Sequence, residues 1–313
     1  MFLSIVAAFC DKDCQLIESL IDNIEKKVKV EHEIILIDNR ENNHSEIDFK
    51  NAKVYSKGYN AYQFEARRYA VQFCSGEYIW FIDADDEVFT VDIKNNFTDD
   101  IICFNYAIKT TIVQHSPMYY YIEETFQNQF THIYTKDIKN YIREHCSVWD
   151  LCGCTLWNKW IRKDLMEKVV APLPVDEIIV ASEDVLYCSL VIDRSDSICF
   201  CKDTIYLYKE CDSMAYNHTI TLDKFKHIIK GHELSSALFK KFIVNYTDYN
   251  DVYHNVSYFY AKAIVCEDTE GCFIEMLKHI PKKDLKKGLK HLGSAPLYKH
   301  KVQLLKQLGK QYL

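Results

Sequence analysis

Residues 2–9 (FLSIVAAF) run apolar without alternation, the pattern of a strand covered on both faces. Apolar positions then move to helical spacing at Leu16, Ile17, Leu20, Ile21 and Ile24, with Asp11 and Asp13 as capping candidates ahead of them. Continuous runs return at 33–37 (EIILI) and 78–82 (YIWFI). Between them lie a short apolar piece at Val54 and Tyr55 and a helical stretch over 63–74 that Ser75 and Gly76 stop. Strand, helix, strand, helix, strand at this spacing predicts βαβ units and a mostly parallel, Rossmann-like α/β sheet flanked by helices. Such sheets bind ligands beyond the carboxyl ends of their strands. Polar residues stand at two of those ends: Asp38 and Asn39 after EIILI, and Asp83, Ala84, Asp85 and Asp86 after YIWFI.

Past Thr90 the rhythm loosens. Residues 100–108 (DIICFNYAI) read as a strand, 110–131 alternate as a β excursion, and 182–192 read as a short helix before strand-like SICFC and TIYLY. From about Thr221 onward, three- and four-residue spacing predicts helices. A soft boundary near Asn217 separates residues 1–217 from a helical C-terminal extension, 218–313.

Composition narrows the class. With 48% hydrophobic and 14% aromatic residues the chain can fill a substantial core, which excludes global disorder. The 8 glycines and 5 prolines argue against a turn-rich sandwich. A formal charge of -7 gives no reason to expect a nucleic acid partner. The 13 cysteines are odd in number and irregular in spacing, which predicts reduced thiols. Cys152, Cys154, Cys199 and Cys201 read better as core thiols than as zinc ligands, because no CxxC pair completes a site. The first residues lack a basic n-region, and no apolar run reaches the ~18 residues of a membrane span, so a cytoplasmic location is expected.

Three clusters could carry chemistry. The DADD run places three carboxylates within four residues at the end of an apolar strand, an arrangement that repels itself unless a cation is bound. Hard oxygen ligands of this kind suit Mg²⁺ or Mn²⁺ completed by phosphate and water. Glu183 and Asp184, at the start of a predicted helix, are either a cap or a carboxylate base opposite the metal. Trp157, Asn158, Lys159 and Arg162 combine cations with aromatics, which suits a diphosphate and sugar rings, or else form a solvated helix face.

Taken in order, these segments resemble glycosyltransferase family 2, the inverting enzymes with a GT-A fold. The resemblance runs from about Leu3 to Asn217. SIVAAFCDKD stands where the family usually reads SIIIPVYN, and EIILIDNRENNHS where EIIVVDDGSTD is common. ARRYAVQFCSGEYIWFIDADDEV is similar to the frequent ARNxGixxAxGeYIxFLDaDD. LWNKWIRKDL, SEDVLY and YLYKECDSMA match later family segments. The resemblance implies a nucleotide-sugar donor, with a UDP-sugar first in line, and Mn²⁺ or Mg²⁺ as cofactor. It implies Asp184 as catalytic base. Ala7, Phe9, Asp38, Asn39, Arg67, Asp83 and Asp85 would line the donor site, and Asp85 and Asp86 would hold the metal. Trp157, Lys159, Arg162 and Glu183 would face the acceptor or the diphosphate. The acceptor would be a hydroxyl of a growing, lipid-linked or surface glycan such as a capsule or O-antigen.

Some positions depart from the family pattern. Ala7 and Cys10 stand near the usual Pro and Asn of the first turn, Asn39 replaces a common Asp, and Arg68 replaces the Asn of ARN. Asn39 leaves a thymidine donor as the alternative to uridine. Two other functions compete. A sugar-phosphate nucleotidyltransferase would open on a Gly-rich loop, which FCDKD lacks. A non-catalytic nucleotide-sugar-binding protein would have lost one of the acids, and all are present.

The C-terminal extension carries a separate signal. Residues 278–313 hold ten lysines against one acid, Asp284. Leu285, Leu289 and Leu292, then Val302, Leu305 and Leu308, recur at helical steps between them. A basic amphipathic helix can lie on anionic lipid, at the inner face of the membrane. The other reading packs the leucines on the catalytic domain or on a second subunit, giving a homodimer.

Overall fold

The computed structural model describes residues 1–40, 48–109, 130–134, 155–175, 179, 183–209, 220–242, 252–290, 292 and 299–313. The chain divides into two compact units: Met1–Ile178 with Glu183–Cys211, and Ile179–Ser182 with Asp212–Leu313. Asn217 and the segment 110–129 lie outside the described residues, as do Cys152, Cys154 and the end of YLYKECDSMA.

The first unit is built on one sheet. Its strands are β1 (Leu3–Phe9), β2 (His32–Asp38), β3 (Lys53–Ser56), β4 (Tyr78–Asp83), β5 (Glu87–Val88), β6 (Ile101–Lys109), β7 (Phe130–Tyr134), β8 (Lys159–Arg162) and β9 (Ser197–Lys209). The order is β3-β2-β1-β4-β8-β6-β9-β5, with β7 also on β9. Strands β3, β2, β1 and β4 are parallel, as their apolar runs predict. Beyond β4 the sheet is mixed, because β8 runs antiparallel to both β4 and β6.

All seven residues of β1 are buried. One face is closed by α1 (Cys14–Lys27), whose Ile17, Leu20, Ile21 and Ile24 join Leu3, Ile5, Ala7 and Phe9 in one core. At ~25 cal/mol per Å² of apolar surface, such stripes are the main stabilising term for the sheet. Gly76, just before β4, lies against the backbone of β1. A Cβ there would stand 2.5 Å from the Ser4 amide nitrogen, and the Gly76 N–H donates to Ser4 Oγ at 2.8 Å. No other residue fits that position without moving backbone.

Two elements differ from the sequence reading. Residues 159–162 form a strand in mid-sheet, not a solvated helix face; the helix begins only at α3 (Lys163–Val170). SICFC and TIYLY belong to one strand, β9. The polar Lys202 and Asp203 between them form an irregularity in its pairing with β6, where Asn105 Nδ2 donates to the Lys202 carbonyl at 2.8 Å.

The unit is completed by α2 (Tyr62–Ala70) and α4 (Glu183–Arg194). The second unit is helical: α5 (Leu222–Phe242), α6 (Val252–Val265), α7 (Thr269–His279), α8 (Lys282–Lys290) and α9 (Lys299–Tyr312). It has its own core, in which Phe225, Tyr260, Phe273 and Met276 pack with Leu285, Val302, Leu305 and Leu308. The apolar stripe of the basic segment is therefore spent on packing within this unit. Among the described residues no helix is long and apolar enough to cross a membrane.

Candidate active site

Parallel pairing in register brings three strand ends to one edge. Phe9 stands beside Asp38, and Ala8 beside Asp83. Ala7 and Phe9 are buried there, packed in the core with α1. Asp38 is also buried, and its carboxylate accepts from Arg40 Nε at 3.0 Å and Nη2 at 2.8 Å. The Asn39 side chain braces the turn into α2, with Oδ1 accepting from the Ala61 N–H at 3.2 Å and Nδ2 donating to the Tyr62 carbonyl at 3.4 Å. Tyr62 sits at φ 51°, a left-handed conformation unusual for a non-glycine residue, and Asn39 and Asn60 hold it there.

The DADD turn follows β4. Tyr206 of β9 organises it: its hydroxyl accepts the Asp83 N–H at 3.0 Å and donates to Asp86 Oδ2 at 2.6 Å. The other Asp86 oxygen accepts the Lys209 N–H at 2.7 Å. Asp86 is thus buried, with both oxygens engaged by protein. Burial pushes its carboxyl up to about 7, helped by the charge of Asp83. Burial likewise pushes Asp83 up to about 6, against the pull of Arg67.

Arg67 is the hub of the site. From α2 it pairs with Asp83 Oδ1 at 3.1 Å and with Asp184 Oδ1, and it stands 3.9 Å from Glu183 Oε1. Burial opposes the guanidinium charge, but Asp184, Asp83 and Glu183 together hold its pKa raised. Glu183 is raised too, by burial and then by the neighbouring Asp184. The helix that carries both acids is fastened to α2 by Tyr187, whose hydroxyl donates to the Phe64 carbonyl at 2.8 Å while the two rings stack at 5.2 Å. Asp83 and Asp184 keep 24% and 26% of their side chains exposed, so both still face solvent.

Of the candidate residues, Arg162 does not lie here. Arg162 pairs in register with Tyr78, at the amino end of β4, five residues back from Asp83 and about 16 Å away along the strand. It binds Asp164 and Asp100 instead. Lys159 is buried, with Nζ donating to the Thr155 carbonyl at 2.6 Å and to Asn158 Oδ1 at 2.8 Å. Trp157 is stacked on Tyr206 at 4.6 Å and lies within the core. Arg40 and Tyr206 were not singled out by sequence. A tyrosine inside an apolar strand gives no signal of its own, and only the β9 pairing shows what its hydroxyl reaches.

Three carboxylates, Asp83, Glu183 and Asp184, thus gather around one buried guanidinium at the carboxyl edge of a Rossmann-like sheet, with Asp85 and Asp86 in the turn that follows Asp83. The first unit's mixed α/β sheet flanked by helices is the GT-A type of fold. Residues 4–170, more than half of the chain, match the glycosyl transferase family 2 model, and the chain belongs to that family. Among solved structures it is similar to S. aureus TarS 1-349. The complex with UDP has a TM-score of 0.51 at 13% identity over 100% of this chain and 92% of that one. The complex with UDP-GlcNAc has a TM-score of 0.53 at 13% identity, over 99% and 92%. These likenesses show the fold. No curated protein sequence matches the chain.

Proposed function

We propose that the chain is an inverting glycosyltransferase that moves a sugar from a UDP-sugar to an acceptor hydroxyl of a growing surface glycan. The observation that carries this reading is the Arg67 bridge between Asp83, on the donor side, and Asp184, at the start of α4. It supports the reading because it joins the acid we assign as base to the acid we assign to the donor side. The UDP and UDP-GlcNAc complexes of TarS support a uridine donor.

The residues present fit a divalent cation. Oxygen donors dominate, and three acids share the one guanidinium of Arg67. Asp85 would hold Mn²⁺ or Mg²⁺ with Asp83 beside it. Asp86, whose oxygens are committed to Tyr206 and Lys209, would shape the turn. When bound, the cation supplies charge neutralisation to the departing diphosphate.

The rest is done by side chains. Ala7 and Phe9 support the strand edge from the core, and the Asp38–Asn39 turn beside them borders the nucleotide base. Arg67 engages Asp184 Oδ1, so Oδ2 is the oxygen that takes the acceptor proton. As that proton leaves, the acceptor oxygen bonds to the anomeric carbon and the bond to the diphosphate oxygen breaks on the opposite face. A general base of this kind is worth ~10²–10⁴-fold. Glu183, beside Asp184, borders the acceptor. We assign the lysines of 278–313 to peripheral contact with an anionic membrane that carries a lipid-linked acceptor.

A nucleotide-diphosphate release assay over UDP-, dTDP- and GDP-sugars tests this directly. Release from a UDP-sugar that stops in EDTA and returns with Mn²⁺ is expected. Undiminished release in EDTA would remove the metal, and release only from GDP-sugars would remove the uridine assignment.

A further inference from the structure

The molecule has a second cluster of metal-ligating side chains, in the first unit and away from the acids described above. Asp99 lies just before β6, His132 in the middle of β7 and Cys199 near the start of β9. Antiparallel pairing sets His132 directly opposite Cys199, and parallel pairing sets Ile102 beside Cys199 on its other flank. One ligand atom from each of Asp99, His132 and Cys199 lies within 4.8 Å of the others. Ile101 is level with Ile161, which is level with Ile79 at the start of β4, so the cluster sits toward the opposite end of the sheet from Asp83.

The spacing suits one ion. His132 Nδ1 stands 3.0 and 3.1 Å from the two Asp99 oxygens. Two ligands each ~2.0–2.1 Å from a tetrahedral zinc stand roughly 3.3 Å apart, so this pair already holds a chelating separation. Cys199, whose sulfur lies within 4.8 Å of the other two ligand atoms, supplies a thiolate that zinc binds at ~2.3 Å. Asp99 and Cys199 are buried, whereas the His132 side chain is 49% exposed, so solvent reaches the cluster from the His132 side and can supply a fourth ligand. The mixture of thiolate, imidazole and carboxylate favours zinc over the Mg²⁺ or Mn²⁺ suited to the all-oxygen donor site.

We propose that Asp99, His132 and Cys199 form a zinc site that fastens β7 to the edge of β9. Binding displaces the Cys199 thiol proton to solvent and forms one Zn–S bond, with no change in oxidation state. The search for CxxC pairs misses such a site because its ligands come from three segments that only the sheet brings together. The competing arrangement is a plain His132–Asp99 ion pair beside a core thiol.

The test is Co²⁺ titration of the full-length, reduced, metal-free protein. A thiolate ligand gives Co²⁺ a near-ultraviolet charge-transfer band, which the sulfur-free acids near Asp83 cannot produce. We expect the band to saturate at one equivalent and to be bleached by Zn²⁺. It should survive Asp85→Asn and be lost in both Cys199→Ala and His132→Ala. His132 is the more exposed of the two, so loss there reports a ligand rather than a damaged core. No band in the parent protein, or a band that persists in His132→Ala, overturns the proposal.

Discussion

Arg67 and Tyr206 decide how the acids at the end of β4 are held. Arg67 offers a single positive charge to Asp83, Glu183 and Asp184, so the acids outnumber the cation that holds them. Tyr206 fixes the turn itself through Asp83 and Asp86. Tyr206→Phe leaves an N–H and a carboxylate oxygen without that partner, at a cost of about 1–3 kcal/mol. We expect the apparent Mn²⁺ affinity, read from transfer rates against Mn²⁺, to weaken roughly tenfold, equivalent to ~1.4 kcal/mol. An unchanged Mn²⁺ dependence would mean that the hydroxyl only supports folding. At this scale the sequence shows the acids, because three carboxylates after YIWFI violate the expectation of a neutral strand end. It does not show their partners, since Asp83 and Tyr206 are 123 positions apart.

Among the elements, β1, β2 and β4 are legible because each is buried on both faces and therefore reads as an unbroken apolar run. Strand β8 is not. Lys159 and Arg162 bracket only two apolar residues, and nothing local says that the lysine will be buried and satisfied by Thr155 and Asn158. β9 reads as two strands because Lys202 and Asp203 imitate a turn. Helices α8 and α9 show the reverse case, where the pattern is plain and its use is not. Their leucines are committed to the core of the second unit, and Leu289 packs against Gly309, where a Cβ would stand 2.2 Å from a leucine methyl. Any contact with lipid must then come from lysines, each worth about 1 kcal/mol beside an anionic surface. Full-length protein should co-sediment with vesicles rich in anionic phospholipid, and salt should release it. Replacing Lys283, Lys286, Lys290, Lys306 and Lys310 with Gln should abolish binding. Equal sedimentation of parent and variant would take the membrane out of the account.

In the whole molecule, the first unit divides its labour along the strands. The carboxyl edge gathers Asp83, Glu183 and Asp184 around Arg67, and the far end carries Arg162 with Asp100 and Asp164 and the Asp99–His132–Cys199 cluster. The acid proposed to face the donor, Asp83, comes from β4, and the proposed base comes from α4, a hundred residues later, joined to it through Arg67. The central claim is that these are separate functions of one site, so they should separate in solution. Calorimetry of UDP binding in Mn²⁺, run beside sugar transfer on parent protein and Asp184→Asn, measures this. The account predicts that the variant binds UDP within about threefold of the parent, a difference of less than ~1 kcal/mol, while transfer falls by at least ~10²-fold. Loss of UDP binding in Asp184→Asn, or near-normal transfer, would contradict it and place the base elsewhere.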